Sequence, residues 1–199
     1  MRRRFIASLS PSRTAPRLTA RAARAFAVCT LVAGTLVAPA LVVPAARAAD
    51  RGPGSTLIGK PAPELVHQLF TGPSRNFRLS ERRGDVVLIG FWTSWCSSCR
   101  AQLERLARLD ATYASSGLVV VGVSLDDDFG RAAELARSVD VHFRNAFDAE
   151  KVLGRRFAVA DVPLTLLVDR GGVVRYAHGE PSGPQDAALL AELRQLLDE

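Results

Sequence analysis

Two uninterrupted apolar runs dominate the pattern along the chain. Asp85-Val-Val-Leu-Ile-Gly-Phe-Trp92 and Gly117-Leu-Val-Val-Val-Gly-Val-Ser-Leu125 carry β-branched and aliphatic residues without polar alternation. Strands buried on both faces read this way, because neither side of the pleat meets water. Between the runs, Leu103, Leu106, Ala107 and Leu109 recur at helical spacing and predict a helix to about Tyr113. After the second run, three acids precede a periodic stretch with Ala133, Leu135, Ala136 and Val139, the layout of a helix whose N-terminus favours negative charge. Further along, residues 142–147 predict a short strand and 148–157 a short helix. "LTLLVD" and "VVRYAH" around Arg170-Gly171-Gly172 predict a hairpin, and 183–199 an amphipathic closing helix. "ELVHQLF" and "NFRL", on either side of "TGPSR", predict a first hairpin. Residues 49–63, rich in Gly and Pro, read as a linker and extended lead-in. Strands alternating with helices define an α/β class with a mixed central sheet.

A further apolar stretch, Ala25 to Ala46, is uncharged and follows a basic start. Ala46-Arg47-Ala48 offers small residues at a cut, so residues 1–48 read as an export signal with the mature chain starting at Ala49. The 22-residue run is also long enough to anchor in a bilayer; Pro39, Pro44 and the small-residue exit favour cleavage. Arg2-Arg3-x-Phe5-Ile6 resembles a twin-arginine start, but Pro11 and Pro16 separate it from the apolar core, which favours general export. Cys29 lies within the apolar run and reads as one more apolar residue of the leader.

This segment also explains the charge. The formal net charge of +6 suggests a nucleic-acid partner, yet eight arginines and no acid fall in residues 1–48, leaving 18 basic residues against all 20 acids in the rest. The folded part is slightly acidic, and nothing in it calls for nucleic acid. Membrane contact is expected only through 25–46, if that segment is retained.

Outside the leader only two cysteines remain, Cys96 and Cys99, directly after the first buried strand. They could be a redox pair, half of a metal site, or a structural staple. A disulfide across so short a loop restrains the unfolded chain little, which counts against the staple. Zinc wants four nitrogen or sulfur ligands, and His67, His142 and His178 are scattered. A thiolate placed where a strand hands over to a helix is stabilised by free N–H groups and the helix dipole, which lowers its pKa. Cys96 would then be the nucleophile, with Cys99 one turn on as the resolving thiol.

Trp95-Cys96-Ser97-Ser98-Cys99-Arg100 after a buried strand, together with Val162-Pro163 ahead of a later strand, resembles the thioredoxin superfamily. Within it the chain is similar to the exported TlpA-like thiol–disulfide oxidoreductases, a group that includes cytochrome c maturation reductants. The resemblance covers about residues 57–198. It implies a thioredoxin-like fold with an N-terminal β extension and a helix–strand insertion at about 127–147. It further implies a cis bond at Pro163, with Val162 offering its backbone to a bound peptide. Trp95, by its place beside Cys96, reads as lining the exposed substrate face. No cofactor beyond a redox-active Cys96–Cys99 disulfide is implied; the expected partners are protein thiol or disulfide substrates and a membrane thiol–electron carrier.

Departures from the family pattern mark where proton handling is unusual. Gly90 stands where thioredoxin has a buried acid, Gln102 where relatives often have Glu, Ser98 where proline is frequent, and Asp161 where glycine precedes the bend. Asp161 is the candidate proton-transfer group. Three rival readings stand beside the redox exchanger. A peroxiredoxin would need Pro-x-x-x-Thr-x-x-Cys, of which Thr93 is present and the proline position holds Ile89. A copper carrier would recruit His178, and a binding module would use neither thiol. Asp126, Asp127 and Asp128 read as a helix cap rather than a cation site.

Overall fold

The structure, a computed structural model, describes residues 55–199. The expected export signal over 1–48, its anchor alternative at 25–46, and the first part of the 49–63 lead-in lie outside the described residues.

The two apolar runs become adjacent central strands, β3 (Val86–Trp92) and β4 (Leu118–Ser124), every residue of both being buried. They pair in parallel, Val86 opposite Leu118 through Trp92 opposite Ser124. The connection between them is helix α1 (Cys99–Tyr113), as a parallel crossover requires. The terminal hairpin, β6 (Leu164–Val168) and β7 (Val174–His178), lies antiparallel on the other side of β3, with Gly90 opposite Thr165 and Phe91 opposite Leu164.

Helix α2 (Phe129–Ser138) leads to β5 (Arg144–Phe147), which pairs in parallel with β4. The N-terminal hairpin, β1 (Val66–Thr71) and β2 (Asn76–Arg78), then extends the sheet through antiparallel pairing of β1 with β5. The seven strands run β2-β1-β5-β4-β3-β6-β7. The helix–strand insertion therefore provides the edge on which the β extension docks.

Alternation along β3 divides the core into two layers. Val87, Ile89 and Phe91 face Leu65, Phe77 and, from the short helix α3 (Val152–Arg156) and its end, Leu153 and Phe157. Val86, Leu88 and Trp92 face Leu103, Leu106 and Leu109 of α1, Ala132 and Ala136 of α2, and Leu189, Leu193 and Leu196 of the closing helix α4 (Gly183–Asp198). Trp92 is fully buried and donates from Nε1 to Asn145 Oδ1 at 3.1 Å. Asn145 Nδ2 donates in turn to Thr71 Oγ1, linking β3 to β1 across the insertion. Gly122 makes room for this chain, since a Cβ there would sit 1.9 Å from Asn145 Oδ1. None of the described helices is long and apolar enough to cross a membrane.

Candidate active site

At the C-terminal end of β3 the chain leaves the sheet through Thr93 and Ser94, and a buried carboxylate fixes its path. Asp126, 2% exposed, accepts the Ser94 N–H at 2.9 Å on each oxygen, the Ser94 hydroxyl at 2.6 Å and the Ser124 hydroxyl at 2.8 Å. The three consecutive acids thus do different things. Asp127 pairs with Lys151 at 2.6 Å on the surface, and only Asp128 caps α2, accepting from the N–H groups of Gly130 and Arg131. The cap expected from the sequence is therefore Asp128 alone, and Asp126 and Asp127 have other partners. Asp126 is a loop anchor, because Ser94 is brought to it by the parallel pairing of β3 with β4.

Two residues beyond Ser94, Cys96 forms a disulfide with Cys99, their Cα atoms 5.3 Å apart. Helix α1 begins at Cys99, not at Cys96 as the pattern suggested. Cys96 occupies the turn leading into it, its carbonyl accepting the Cys99 N–H at 3.2 Å. Ser98 is the residue before the first full turn and makes no side-chain cap. The two cysteines differ in burial: Cys99 is fully buried against Leu103 and Leu106, whereas Cys96 is partly exposed. Trp95 stands beside it, 72% exposed. A shallow groove of about 400 Å³ runs from Ser94 and Trp95 past Arg100 to Arg131 and Glu134.

The Val162–Pro163 peptide bond is cis. Val162 packs against the layer that holds both cysteines. Its N–H donates to Asp161 Oδ1 at 2.8 Å, so the exposed Asp161 carboxylate is turned onto its own neighbour.

The two positions where acids were expected are explained by packing. A Cβ on Gly90 would lie 2.5 Å from Leu106 Cδ1, so a side chain there would have to displace Leu106 from the layer between β3 and α1. Gln102, fully buried, fills the space above Gly90 and donates from Nε2 to the Leu164 carbonyl and Thr165 Oγ1, both at 3.0 Å. Its Oε1 has no partner.

One neighbour of the cysteines carries no signal in the sequence. Glu180, in the loop after β7, accepts the Ser98 hydroxyl at 2.8 Å, and Ser98 Oγ lies 3.7 Å from Cys96 Sγ. Eighty-two residues separate Ser98 from Glu180, and only the fold joins them. Of the histidines, His178 contacts Glu192 at 2.5 Å and His142 contacts Asp140 at 3.0 Å.

Comparison with known proteins agrees with this geometry. The family model described as "AhpC/TSA family" matches residues 58–177. The thiol:disulfide interchange protein DsbE of Yersinia pestis is 35% identical over 126 residues, covering 62% of this chain and 65% of that protein. The chain thus spans just under two thirds of that relative. The DsbE protein of Escherichia coli is 31% identical over 133 residues, covering 66% and 70% respectively. A crystal structure of a DsbE-type protein from Chlorobium tepidum superposes with a TM-score of 0.63 at 31% identity, over 69% of this chain and 95% of that one. With the expected thioredoxin-like fold in place, the chain belongs to the AhpC/TSA family, among its thioredoxin-fold relatives of the thiol:disulfide interchange type.

Proposed function

We propose that this chain exchanges its Cys96–Cys99 pair with protein disulfides outside the cytoplasm, working as a reductant of the kind used in cytochrome c maturation. The observation that carries the reading is the unequal burial of two bonded cysteines at the head of α1, Cys96 partly exposed and Cys99 buried. In the reduced form, the Cys96 thiolate attacks one sulfur of a substrate disulfide. That bond breaks, and the other substrate sulfur leaves as a thiolate that takes up a proton. The Cys99 thiolate then attacks Cys96, forming the internal disulfide and releasing the second substrate sulfur, so two electrons pass to the substrate. Trp95 and the backbone at Val162 and Pro163 supply the peptide-binding face. The disulfide is the redox group, and no further cofactor enters the scheme.

Returning to the dithiol requires a donor of two electrons, for which a membrane thiol carrier is the fitting partner in an oxidising compartment. Export by residues 1–48 would deliver the chain there, with 25–46 as its only membrane contact if uncleaved. The test is a redox titration of the protein against glutathione joined to a disulfide-reduction assay. Reversible cycling with loss of activity in Cys96→Ser is expected; failure to cycle while both reduced thiols can be alkylated would overturn the reading. The same preparation separates the peroxidase alternative, for which rapid turnover of hydrogen peroxide would be required. Against it, Ile89 lies mid-strand between Val121 and Leu166, where no loop proline could stand.

A further inference from the structure

We propose that Ser98 and Glu180 form a relay on Cys96 that keeps its sulfur protonated in the reduced protein and so makes the pair a stronger electron donor. The proposal rests on the exchange reading above and supplies its direction. Ser98 touches the reacting sulfur, at 3.7 Å, and Glu180 acts through Ser98, accepting its hydroxyl at 2.8 Å.

A serine hydroxyl has one proton and two lone pairs. With the proton donated to Glu180, only lone pairs face Cys96. They can accept an S–H, but they cannot stabilise a thiolate. The carboxylate beyond adds a like charge that further opposes the S⁻ form. Both effects work against the stabilisation that the turn into α1 offers a thiolate. A pair whose thiolate is poorly stabilised has a less favoured reduced state and gives up electrons more readily.

During attack the protons have a defined route. The Cys96 proton passes to Ser98 Oγ as the Ser98 proton passes to Glu180 Oε1. The thiolate so formed opens the substrate disulfide, and Glu180 returns its proton through solvent to the substrate sulfur that leaves. Cys99 gives its own proton to the second departing sulfur. Two protons and two electrons thus reach the substrate.

The other charged groups on the elements packed here are engaged elsewhere. His178 of β7 pairs with Glu192 of α4, Asp186 of α4 with Arg105 of α1, and Arg100 donates to Ser138. Asp161 accepts from the Val162 N–H. Glu180 is therefore the carboxylate assigned to the Cys96 side.

The experiment measures thiolate formation at Cys96 in the reduced full chain, by ultraviolet absorbance and by iodoacetamide labelling across pH, for wild type, Glu180→Gln, Ser98→Ala and the double variant. Both side chains lie at the surface, so folding is expected to be kept. In Glu180→Gln the like charge is gone and the new amide N–H can donate to Ser98 Oγ, leaving the hydroxyl proton to turn to the sulfur; the midpoint should move down by about one pH unit, with labelling below neutral pH rising several-fold. In the Ser98→Ala background the same substitution should have less than half that effect. An unmoved midpoint in Glu180→Gln overturns the proposal, as does an equal change in both backgrounds, which would leave only charge acting through space. These titrations need no substrate. A wild type that failed to exchange with glutathione would sink the exchange reading and leave the relay measurable.

Discussion

The amide of Gln102 holds the first turn of α1 to the carbonyl of Leu164, at 3.0 Å, with Thr165 Oγ1 at the same distance. A glutamate at 102 would lose both donated bonds and bury a charge facing a carbonyl oxygen. Gln102→Glu is expected to cost about 2–4 kcal/mol at neutral pH, measured by urea unfolding. Burial raises the pKa of the introduced acid, so its protonated form is the one the fold tolerates. Stability is then best at low pH and is lost as pH rises through the raised value. A cost that persisted unchanged near pH 4 would contradict the buried charge as its main source.

The acids at 126–128 should rank by their partners, not by their order. Asp126→Ala strands the Ser94 N–H and two hydroxyls in a buried setting and should cost about 2–4 kcal/mol. Asp128→Ala removes a cap worth about 1 kcal/mol. Asp127→Ala breaks an exposed ion pair worth less than about 1 kcal/mol. Amide exchange at Ser94 should also quicken in Asp126→Ala alone. Equal costs for all three would remove the loop-anchor assignment.

The same acids show where letters stop being informative. The strands β3, β4, β6 and β7 and the helices α1, α2 and α4 were readable, because their apolar spacing reports burial directly. Three identical residues in a row carry no such record; what separates them is Ser94, Lys151 and a helix N-terminus, placed by tertiary pairing. Gly90 reads as a missing acid in sequence and as a packing requirement in the fold, since Leu106 occupies its side-chain space. Likewise, the first hairpin was visible, but its docking on β5 depends on strand order. At the site, Cys96 and Cys99 stood out by spacing, while Glu180 could be found only through its contact with Ser98.

Arg105 of α1 is 6% exposed and paired with Asp186 at the start of α4. Burial lowers its pKa, and the Asp186 carboxylate opposes that by holding the charge. Two of its nitrogens, Nε and Nη2, have no partner, so the pair is a costly way to join the helices. Asp186→Ala should destabilise by about 2–3 kcal/mol, because it leaves the guanidinium alone. Adding Arg105→Met should recover most of that loss. Urea unfolding of the two single variants and the double gives the coupling; additive effects would mean that the contact contributes nothing.

Asp110, on the same helix, is half-buried, and burial raises its pKa, with Arg144 pulling in the opposite direction. An acid raised in the folded state favours folding most below its unfolded value, about 3.9, and that contribution is lost as pH rises through the folded value. At neutral pH the ionised group is therefore a net desolvation cost. Asp110→Asn should raise Tm by about 1–3 °C at pH 7, with the advantage shrinking as pH falls below about 4, where wild-type Asp110 is already neutral. Scanning calorimetry of both proteins across this range checks the sign. An advantage that grew toward acid pH would instead put the attraction of Arg144 ahead of burial.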